Sequence, residues 1–332
     1  MKYTENAINI LAAKTYKRIG GAWIVKNIKG NESIEKIISL LNKNSRQDEQ
    51  ITVDNFEDKK KQIKKRINAF EDCCDGIVAL GDKHFPKYRG KVKASEQPVF
   101  LFYKGNIDLL IESNLNVAVI GLLNPDEKIE KSEKMVTAEI LKHGATIVSG
   151  LALGCDSIAH KTALEKGGKT IAILPSPLNN ILPVKNKDLA LEIVEAGGLL
   201  VTEYYEDFKT KMELSSRYKE RDRLQALFCD SVVLAASYAQ DSASRWGIYN
   251  QKLDCGARLA MGNAKEYGIK RAVIYNEAKH AKNPMYDLNR QFLKEDNTVI
   301  RIDSDNMTES IKKLLSKKPI INNGQTFQSS FF

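Results

Sequence analysis

The sequence contains few of the features that would place the protein in a membrane or outside the cell. No apolar run approaches the ~18 residues that a membrane-spanning helix needs. Met1 to Ile10 has neither the basic start nor the apolar stretch of a secretory signal. The five cysteines form neither an even disulfide framework nor a CxxC pair. We therefore expect a cytoplasmic protein with reduced thiols, no metal site and no membrane association.

Two motifs that would indicate nucleotide chemistry are incomplete. Gly167 to Thr170 looks like the end of a P-loop, but Ala163 stands where the first glycine belongs, and the segment leads from a helix into a strand. Gly121 to Pro125 lacks the GxGxxG spacing that holds a dinucleotide pyrophosphate. An ATPase and an NAD- or FAD-dependent enzyme are therefore disfavoured, and no cofactor is expected.

Positive charge is in modest excess. The chain has 51 Lys and Arg against 42 Asp and Glu, a formal charge of +9, and an isoelectric point near 9.1. Such a balance favours a polyanionic partner, although many basic proteins of this size bind none. Composition alone therefore favours nucleic acid only slightly.

Apolar, β-rich runs alternate with helical patterns from Asn116 onward. This alternation predicts an α/β fold of the Rossmann-like, doubly wound type, with a mostly parallel sheet. The predicted strands are Val117 to Ile120, Thr146 to Ser149, Thr170 to Leu174, Leu199 to Thr202, Ser231 to Ala236, Arg271 to Tyr275 and Thr298 to Ile302. Helices are predicted to end at Gly144, Gly167, Gly197 and Gly268.

Three regions are expected along the chain. Residues 1–70 form a small helical domain of the helix-hairpin or SAM-like kind, with Lys17 to Gly21 between two helices, followed by a charged linker. That linker, Asn42 to Arg66, passes into a helix whose lysine run is more consistent with a solvated face than with a binding patch. Residues 71–305 form the Rossmann-like domain, and residues 306–332 a short helix (Ser310 to Leu315) and a flexible tail.

The turn after the second predicted strand is the most informative segment. Gly150 and Gly154 let the backbone pass close to a ligand, and the N–H groups of the turn and the following helix start suit an anion. A plain strand-to-helix turn with Asp156 as N-cap is an equally good interpretation. Cys155 is predicted to pack rather than react, because helical spacing separates it from His160, whereas Asp156 and His160 share a face and are predicted to pair there.

A second cluster enters a later helix, at Ser215 to Leu224. Its cations alternate with an aromatic residue, Tyr218, which suits single-stranded nucleic acid because cations meet phosphates while a ring stacks on a base. An ordinary charged helix, with Arg221 and Arg223 in surface ion pairs, explains the same residues equally well.

These clusters, in this order, resemble the DprA family of DNA-processing proteins. Ser149 to His160 is close to that family's SGLAxGIDxxAH signature, and Tyr218 to Leu224 is similar to its FPxRNRI segment. Asp82 to Tyr88 with Pro98 to Gly105 looks like the family's lead-in, and Glu203-Tyr204 is similar to its SEYP turn.

The resemblance implies a homodimeric protein without catalytic residues, which binds single-stranded DNA in a basic groove and delivers a RecA-type recombinase during DNA uptake, recombination or repair. The residues it implies for nucleic-acid or phosphate binding are Gly121, Ser149, Gly150, Leu151, Gly154, Asp156, Arg217, Tyr218, Lys219, Arg221 and Arg223.

The chain departs from the family at three places. Gly121-Leu122-Leu123 replaces a Gly-Ser-Arg segment, Asp222 replaces an asparagine between the two arginines, and Asp254 to Ala257 replaces a Ser-Gly-Ser segment after an apparent insertion from Ser242 to Gln251. A nucleotide-sensing Rossmann-like domain of the SLOG type, with its ligand in the same pocket, is therefore the alternative. A nucleoside-phosphate lyase or hydrolase ranks third, because its PGGxGTxxE motif is missing.

Overall fold

The computed structural model describes residues 1–44, 50–250, 253 and 256–316. The strands are β1 (Gly76–Ala79), β2 (Phe100–Gly105), β3 (Asn116–Ile120), β4 (Thr146–Ser149), β5 (Thr170–Ile173), β6 (Leu199–Thr202), β7 (Ser231–Leu234), β8 (Lys270–Ile274) and β9 (Ile300–Ile302). The α-helices are α1 (Glu5–Lys14), α2 (Gly21–Asn27), α3 (Ile34–Lys43), α4 (Val53–Asn68), α5 (Glu127–Leu141), α6 (Cys155–Glu165), α7 (Lys187–Glu195), α8 (Lys211–Leu227), α9 (Ser242–Trp246), α10 (Ala257–Tyr267), α11 (Glu277–His280), α12 (Asp287–Glu295) and α13 (Met307–Leu315).

Within these ranges the strands form one nine-stranded sheet in the order β1-β2-β6-β5-β4-β3-β7-β8-β9. The strands from β6 to β9 in that order pair in parallel, whereas β2 pairs antiparallel with both β1 and β6. The predicted doubly wound, mostly parallel α/β fold is therefore confirmed. The sequence analysis did not identify β1 and β2.

The order of the strands locates the region where a ligand is expected. β3 lies between β4 and β7, so the chain winds in one direction through β4 to β6 and in the other through β7 to β9. Ligands of open α/β sheets bind outside the carboxyl ends of the strands beside such a reversal. The turns that follow β3 and β4 lie at that edge.

The sheet strands are buried, which explains their runs of Val, Ile and Ala. All residues of β3, β4, β5, β6 and β7 are buried, as expected for a parallel sheet covered on both faces. The four glycines predicted to end helices, Gly144, Gly167, Gly197 and Gly268, all have positive φ, as a left-handed helix cap requires.

The N-terminal helices share a hydrophobic core with one face of the sheet. Ile8, Leu11 and Phe56 belong to the same cluster of buried residues as Phe102 of β2 and Leu200 of β6. A backbone bridge between Lys2 and Gly76 also joins the chain start to β1. The helical character of this region is confirmed. The division into residues 1–70, 71–305 and 306–332 stays a prediction.

The lysine-rich helix α4 differs from the solvated face that the sequence predicted. Lys60 is only 5% exposed and lies on the same side of the helix as the buried Phe56 and Ile63. Its ammonium group pairs with Glu5 at 3.1 Å and with Glu57 at 2.9 Å. The expectation was wrong at this position, because pairing with two carboxylates allows a lysine to be buried in an otherwise apolar stripe.

The last described helix, α13, packs against β9 and α5. It begins three residues earlier than predicted, at Met307. The predicted flexible tail lies beyond residue 316, outside the described residues, as do Asp254 and Cys255 of the predicted segment before α10. In the part of the chain described, no helix is long and apolar enough to cross a membrane.

Candidate nucleic-acid interface

The turn between β4 and α6 requires glycine at one position for steric reasons. Gly154 has φ +71°, and a Cβ atom there would lie 2.3 Å from the carbonyl oxygen of Leu122 and 2.4 Å from that of Leu123. Leu151 also has positive φ, +59°, and is fully buried. The turn is therefore held tightly against the loop that follows β3.

The backbone donors of this turn are occupied by the chain's own carboxylate. The N–H groups of Gly150 and Ala152 donate to Oδ2 of Asp156, at 3.1 and 3.2 Å. Burial raises the pKa of Asp156, and the nearby Arg221 guanidinium and these backbone donors oppose that rise. Asp156 shapes the turn, but these two N–H groups do not face an open anion site as the sequence analysis expected.

Arg221 of α8 closes the other side of the turn. A Cβ atom on Gly150 would lie 1.0 Å from Nη1 of Arg221, so the glycine makes room for the guanidinium. Nη1 lies 3.7 Å from Oδ2 of Asp156, and Nε lies 3.3 Å from Oδ1 of Asp222. With the Gln225 amide turned so that its oxygen faces these donors, it accepts from Arg221 Nη1 at 3.0 Å and from the Gly150 N–H at 2.9 Å. The positive charge of Arg221 is thus balanced by two carboxylates.

The predicted pair between Asp156 and His160 does not form. His160 is fully buried, and its Nδ1 lies 2.7 Å from Oγ1 of Thr170. That hydroxyl donates to the carbonyl oxygen of Ile147, so the imidazole Nδ1–H is assigned as the donor to Thr170. The prediction was wrong because helical spacing placed the two side chains on one face without showing that His160 points into the core.

Cys155 packs in the core, as predicted. It is fully buried, and a Cβ atom on Gly121 would lie 2.6 Å from its sulfur. Burial and the neighbouring carboxyl of Glu133 raise the pKa of the Cys155 thiol well above its usual value. A thiol kept protonated in this way is a poor nucleophile.

A cavity of about 430 Å³ opens between the turn and α8. We call it the turn cavity. Its wall is mostly apolar or aromatic, with polar groups at one side, and is formed by Ile120, Gly121, Leu123, Ala152, Leu153, Asp156, Pro183, Tyr218, Arg221, Asp222, Gln225, Gly256 and Ala257. Leu123 and Leu153 are exposed to 41% and 37%. The cavity therefore offers apolar surface and an aromatic ring beside a charge-balanced arginine.

The structure brings together some of the predicted site residues. Gly121, Asp156, Tyr218 and Arg221 line the turn cavity, and Gly150 contacts Arg221 behind it. Ser149 is buried and donates its hydroxyl hydrogen to the carbonyl oxygen of Val119. Gly154 and the buried Leu151, both with positive φ, support the turn. Lys219 is exposed and follows Tyr218 but is not part of the cavity wall.

Arg217 and Arg223 line a different groove along α8, which also contains Lys14 and Arg66. We call this the α8 groove. Arg217 donates to the Glu206 carbonyl oxygen and to the Glu213 carboxylate, both at 2.7 Å, and lies over the Tyr204 ring. Arg223 pairs with Glu203 at 2.8 Å. The structure therefore does not bring these two arginines to the turn cavity.

The sequence analysis overlooked several residues at the turn cavity. Lys185 and Arg258 are exposed, and each lies within two residues of a lining residue, Pro183 and Ala257 respectively. In the described residues neither forms an ion pair. They are separated by more than 70 positions in sequence, so only the fold shows that both lie next to lining residues of the turn cavity.

The sequence and the fold both resemble known DNA-processing proteins. The sequence profile of the family described as DNA recombination-mediator protein A matches residues 76–244. The chain is 38% identical over 141 residues to DNA processing protein DprA of Streptococcus pneumoniae, covering 42% of this chain and 47% of that protein. It is 31% identical over 128 residues to protein Smf of Borreliella burgdorferi, covering 38% of this chain and 39% of that protein. The alignments thus span less than half the length of either relative.

Two solved structures share the architecture. DprA from Streptococcus pneumoniae aligns with a TM-score of 0.68 over 96% of this chain and 100% of that one, at 22% identity, which supports the fold alone. DNA processing protein A from Helicobacter pylori, described for its single-stranded DNA binding mode, aligns with a TM-score of 0.55 at 27% identity. The alignment covers 72% of this chain and 95% of that one.

Proposed function

This chain belongs to the DNA recombination-mediator protein A family, and we propose that it binds single-stranded DNA at the turn cavity without catalysing a reaction. The observation that carries the proposal is the combination of an apolar, tyrosine-containing cavity with exposed cations within two residues of its lining. Single-stranded nucleic acids are commonly bound in this way, with bases stacked on rings and the backbone held by cations.

A base of the strand enters the turn cavity in this proposal. Tyr218 is half-buried in the wall, and Leu123 and Leu153 expose apolar surface opposite the polar side formed by Asp222 and Gln225. A flat, largely apolar base with polar edges matches such a wall better than a phosphate does. The Leu123 side chain, where the family pattern has arginine, therefore favours contact with a base.

The phosphates are held at the rim. Lys185 and Arg258 are exposed, each lies within two residues of a lining residue, and neither forms an ion pair within the described part of the chain. Arg221 is only 5% exposed and lies between Asp156 and Asp222, so its role is to position the turn and the Tyr218 ring, whose centroid is 5.7 Å from the guanidinium carbon.

The biological role is proposed from the family alone. We infer protection of single-stranded DNA, delivery of a RecA-type recombinase, a homodimeric state and a cytoplasmic location. The SLOG-type alternative, a nucleotide signal bound in the turn cavity, is supported by one observation. The cavity of about 430 Å³ lies within the size range of small-ligand pockets.

Fluorescence anisotropy with single-stranded DNA, duplex DNA and a panel of nucleotides tests this proposal. We expect single strands to bind more tightly than duplex, with log affinity falling against log salt by about 0.7 for each phosphate contact. Tyr218→Ala should weaken binding by about 1 to 3 kcal/mol without changing that slope, because stacking is not ionic. Tyr3→Ala, at an exposed tyrosine outside the turn cavity, is the matched control. Preferential binding of a mononucleotide that Tyr218→Ala abolishes would favour the alternative instead.

A further inference from the structure

A second cavity opens at the same edge of the sheet, outside the carboxyl ends of β8 and β9. Its volume is about 550 Å³, and it is lined by other residues than the turn cavity. Ile274 and Ile302 from the strand ends, together with Val136 of α5, form an apolar wall. We call it the β8–β9 cavity. Its size is in the range of small-ligand pockets.

Aromatic rings form one side of this cavity. The His280 imidazole stacks on the Tyr286 ring, with centroids 3.8 Å apart and planes inclined by 6°. Tyr275 meets both rings edge-on, at centroid distances of 5.8 and 6.4 Å. One face of His280 is thus covered by Tyr286, and the half-buried His280 ring forms part of the cavity wall.

The polar groups of these rings are partly unused by the chain. The backbone N–H of Asn276 donates to Nδ1 of His280 at 3.1 Å, so Nε2–H of the neutral ring remains a donor. The hydroxyl of Tyr286, a residue only 1% exposed, has no hydrogen-bond partner within the described residues. The Tyr286 hydroxyl oxygen is itself buried, so the donor that this wall can offer a ligand is Nε2–H of the half-buried His280.

The charges around the cavity are unbalanced toward positive. Lys128, Lys131 and Lys279 line it, and none of these exposed side chains forms an ion pair in the described ranges. Its two carboxylates are already engaged. Asp126 accepts the Ile129 N–H at 2.8 Å as the N-cap of α5, and Asp303 lies 3.4 Å from Arg301. Three lysines against two carboxylates give the lining a small excess of positive charge, which a negatively charged ligand would complement.

From this arrangement we propose that the β8–β9 cavity is a second ligand site, which takes a nucleoside monophosphate with its base against His280 and its phosphate among Lys128, Lys131 and Lys279. A heteroaromatic ring matches the stacked wall, and a dianionic phosphate matches the lysines. The site is independent of single-stranded DNA binding at the turn cavity.

Isothermal titration of the full chain with AMP tests the proposal. Adenosine, which lacks the phosphate, and ribose 5-phosphate, which lacks the base, are titrated separately. We expect saturable AMP binding and much weaker binding of either half. Lys131→Ala and Lys279→Ala should each weaken AMP binding about fivefold or more, because each removes a charged contact. Lys161→Ala, at an exposed lysine of α6 without an ion pair in the described chain, is the matched control and should leave AMP binding unchanged.

Competition separates this site from the turn cavity. An oligothymidine strand should not displace AMP, and Lys131→Ala should keep the wild-type affinity for that strand. Absence of AMP binding, or AMP binding unaffected by either lysine variant, would overturn the proposal whatever the outcome for DNA. Displacement of AMP by the strand, with equal weakening of both ligands in Lys131→Ala, would also overturn it, because the lysines would then be part of the DNA path.

Discussion

Arg221 and Arg223 are two residues apart on one helix and lie in different parts of the molecule. Arg221 packs against the β4–α6 turn, with its guanidinium near Asp156 and Asp222. Arg223 reaches into the α8 groove, where it pairs with Glu203 at 2.8 Å and donates to the Glu96 carbonyl oxygen at 2.7 Å. Residues two apart on an α-helix are separated by about 200° around its axis. Cations close in sequence therefore do not define one binding face.

The two arginines also differ in what they hold together. Arg221 connects a turn at the carboxyl edge of the sheet to the wall of a cavity. Arg223 connects α8 to the segment before β2, through Glu96, and to the residue after β6, Glu203. We therefore assign the Arg221 side of α8 to ligand binding and the Arg223 side to stability.

The turn that receives Arg221 should give the largest change in stability. Gly154→Ala places a methyl group within 2.4 Å of two carbonyl oxygens and also strains a positive φ, so we expect the free energy of unfolding to fall by about 3 kcal/mol or more. Gly144→Ala is the matched control, because Gly144 has φ +74° with nothing within 4 Å of the added Cβ, and should cost about 1 kcal/mol. Urea denaturation measures both. Equal losses would show that the turn is not tightly packed.

Arg223→Ala should lower stability next most strongly. It leaves Glu203, whose side chain is 16% exposed, without its ion-pair partner, and we expect a loss of about 2 kcal/mol in urea denaturation. Lys142→Ala is the control. It breaks the ion pair with Glu139 at a lysine side chain that is 71% exposed, so little change is expected. An Arg223→Ala protein as stable as the wild type would contradict a structural role for Arg223.

The pH dependence of stability should reveal whether His160, which lies near Arg221, is buried in its neutral form. Burial, and to a smaller extent the charge of Arg221, lowers the pKa of His160 to about 3. The unfolded chain therefore takes up this proton first, and the histidine's contribution to stability is complete above about pH 6.5 and declines as the pH falls toward 3.

Because of this histidine, we expect the free energy of unfolding to be about 1 to 2 kcal/mol lower at pH 5 than at pH 7. His160→Gln removes the titrating group, so the stability difference between the wild type and this variant should shrink as the pH is lowered from 7 to about 5. Urea denaturation at several pH values measures it. A difference that stays constant with pH would contradict the assignment of a buried, neutral His160.

Local sequence patterns were sufficient for the sheet but not for its antiparallel edge. The parallel strands are short, buried runs of β-branched residues between helices, and their positions follow from that pattern. β1 is as long as β4 to β7, but β1 and β2 are joined by an irregular segment instead of a helix, so the alternation of strands and helices is missing there. Their pairing is defined by the contact of β2 with β6, about 100 positions later, which no local pattern shows.

The candidate site was predictable where it depends on the backbone and not where it depends on distant side chains. The positive φ of Gly154 follows from a glycine at a tight strand-to-helix turn. That Asp156 occupies the turn's N–H groups, and that Arg223 turns away to Glu203, depends on the packing of α8 against segments far away in sequence. The same is true of the exposed Lys185 and Arg258 near the turn cavity.

The most direct test compares one exposed lysine next to the turn cavity with one in the α8 groove. Lys185 lies two residues from Pro183 in the wall of the turn cavity, and Lys14 lines the α8 groove. We predict that Lys185→Ala weakens single-stranded DNA binding about threefold to tenfold at low salt and reduces the salt slope by about 0.7. Lys14→Ala should leave both quantities unchanged. Weakened binding in Lys14→Ala, with wild-type affinity in Lys185→Ala, would contradict the account and place the DNA in the α8 groove.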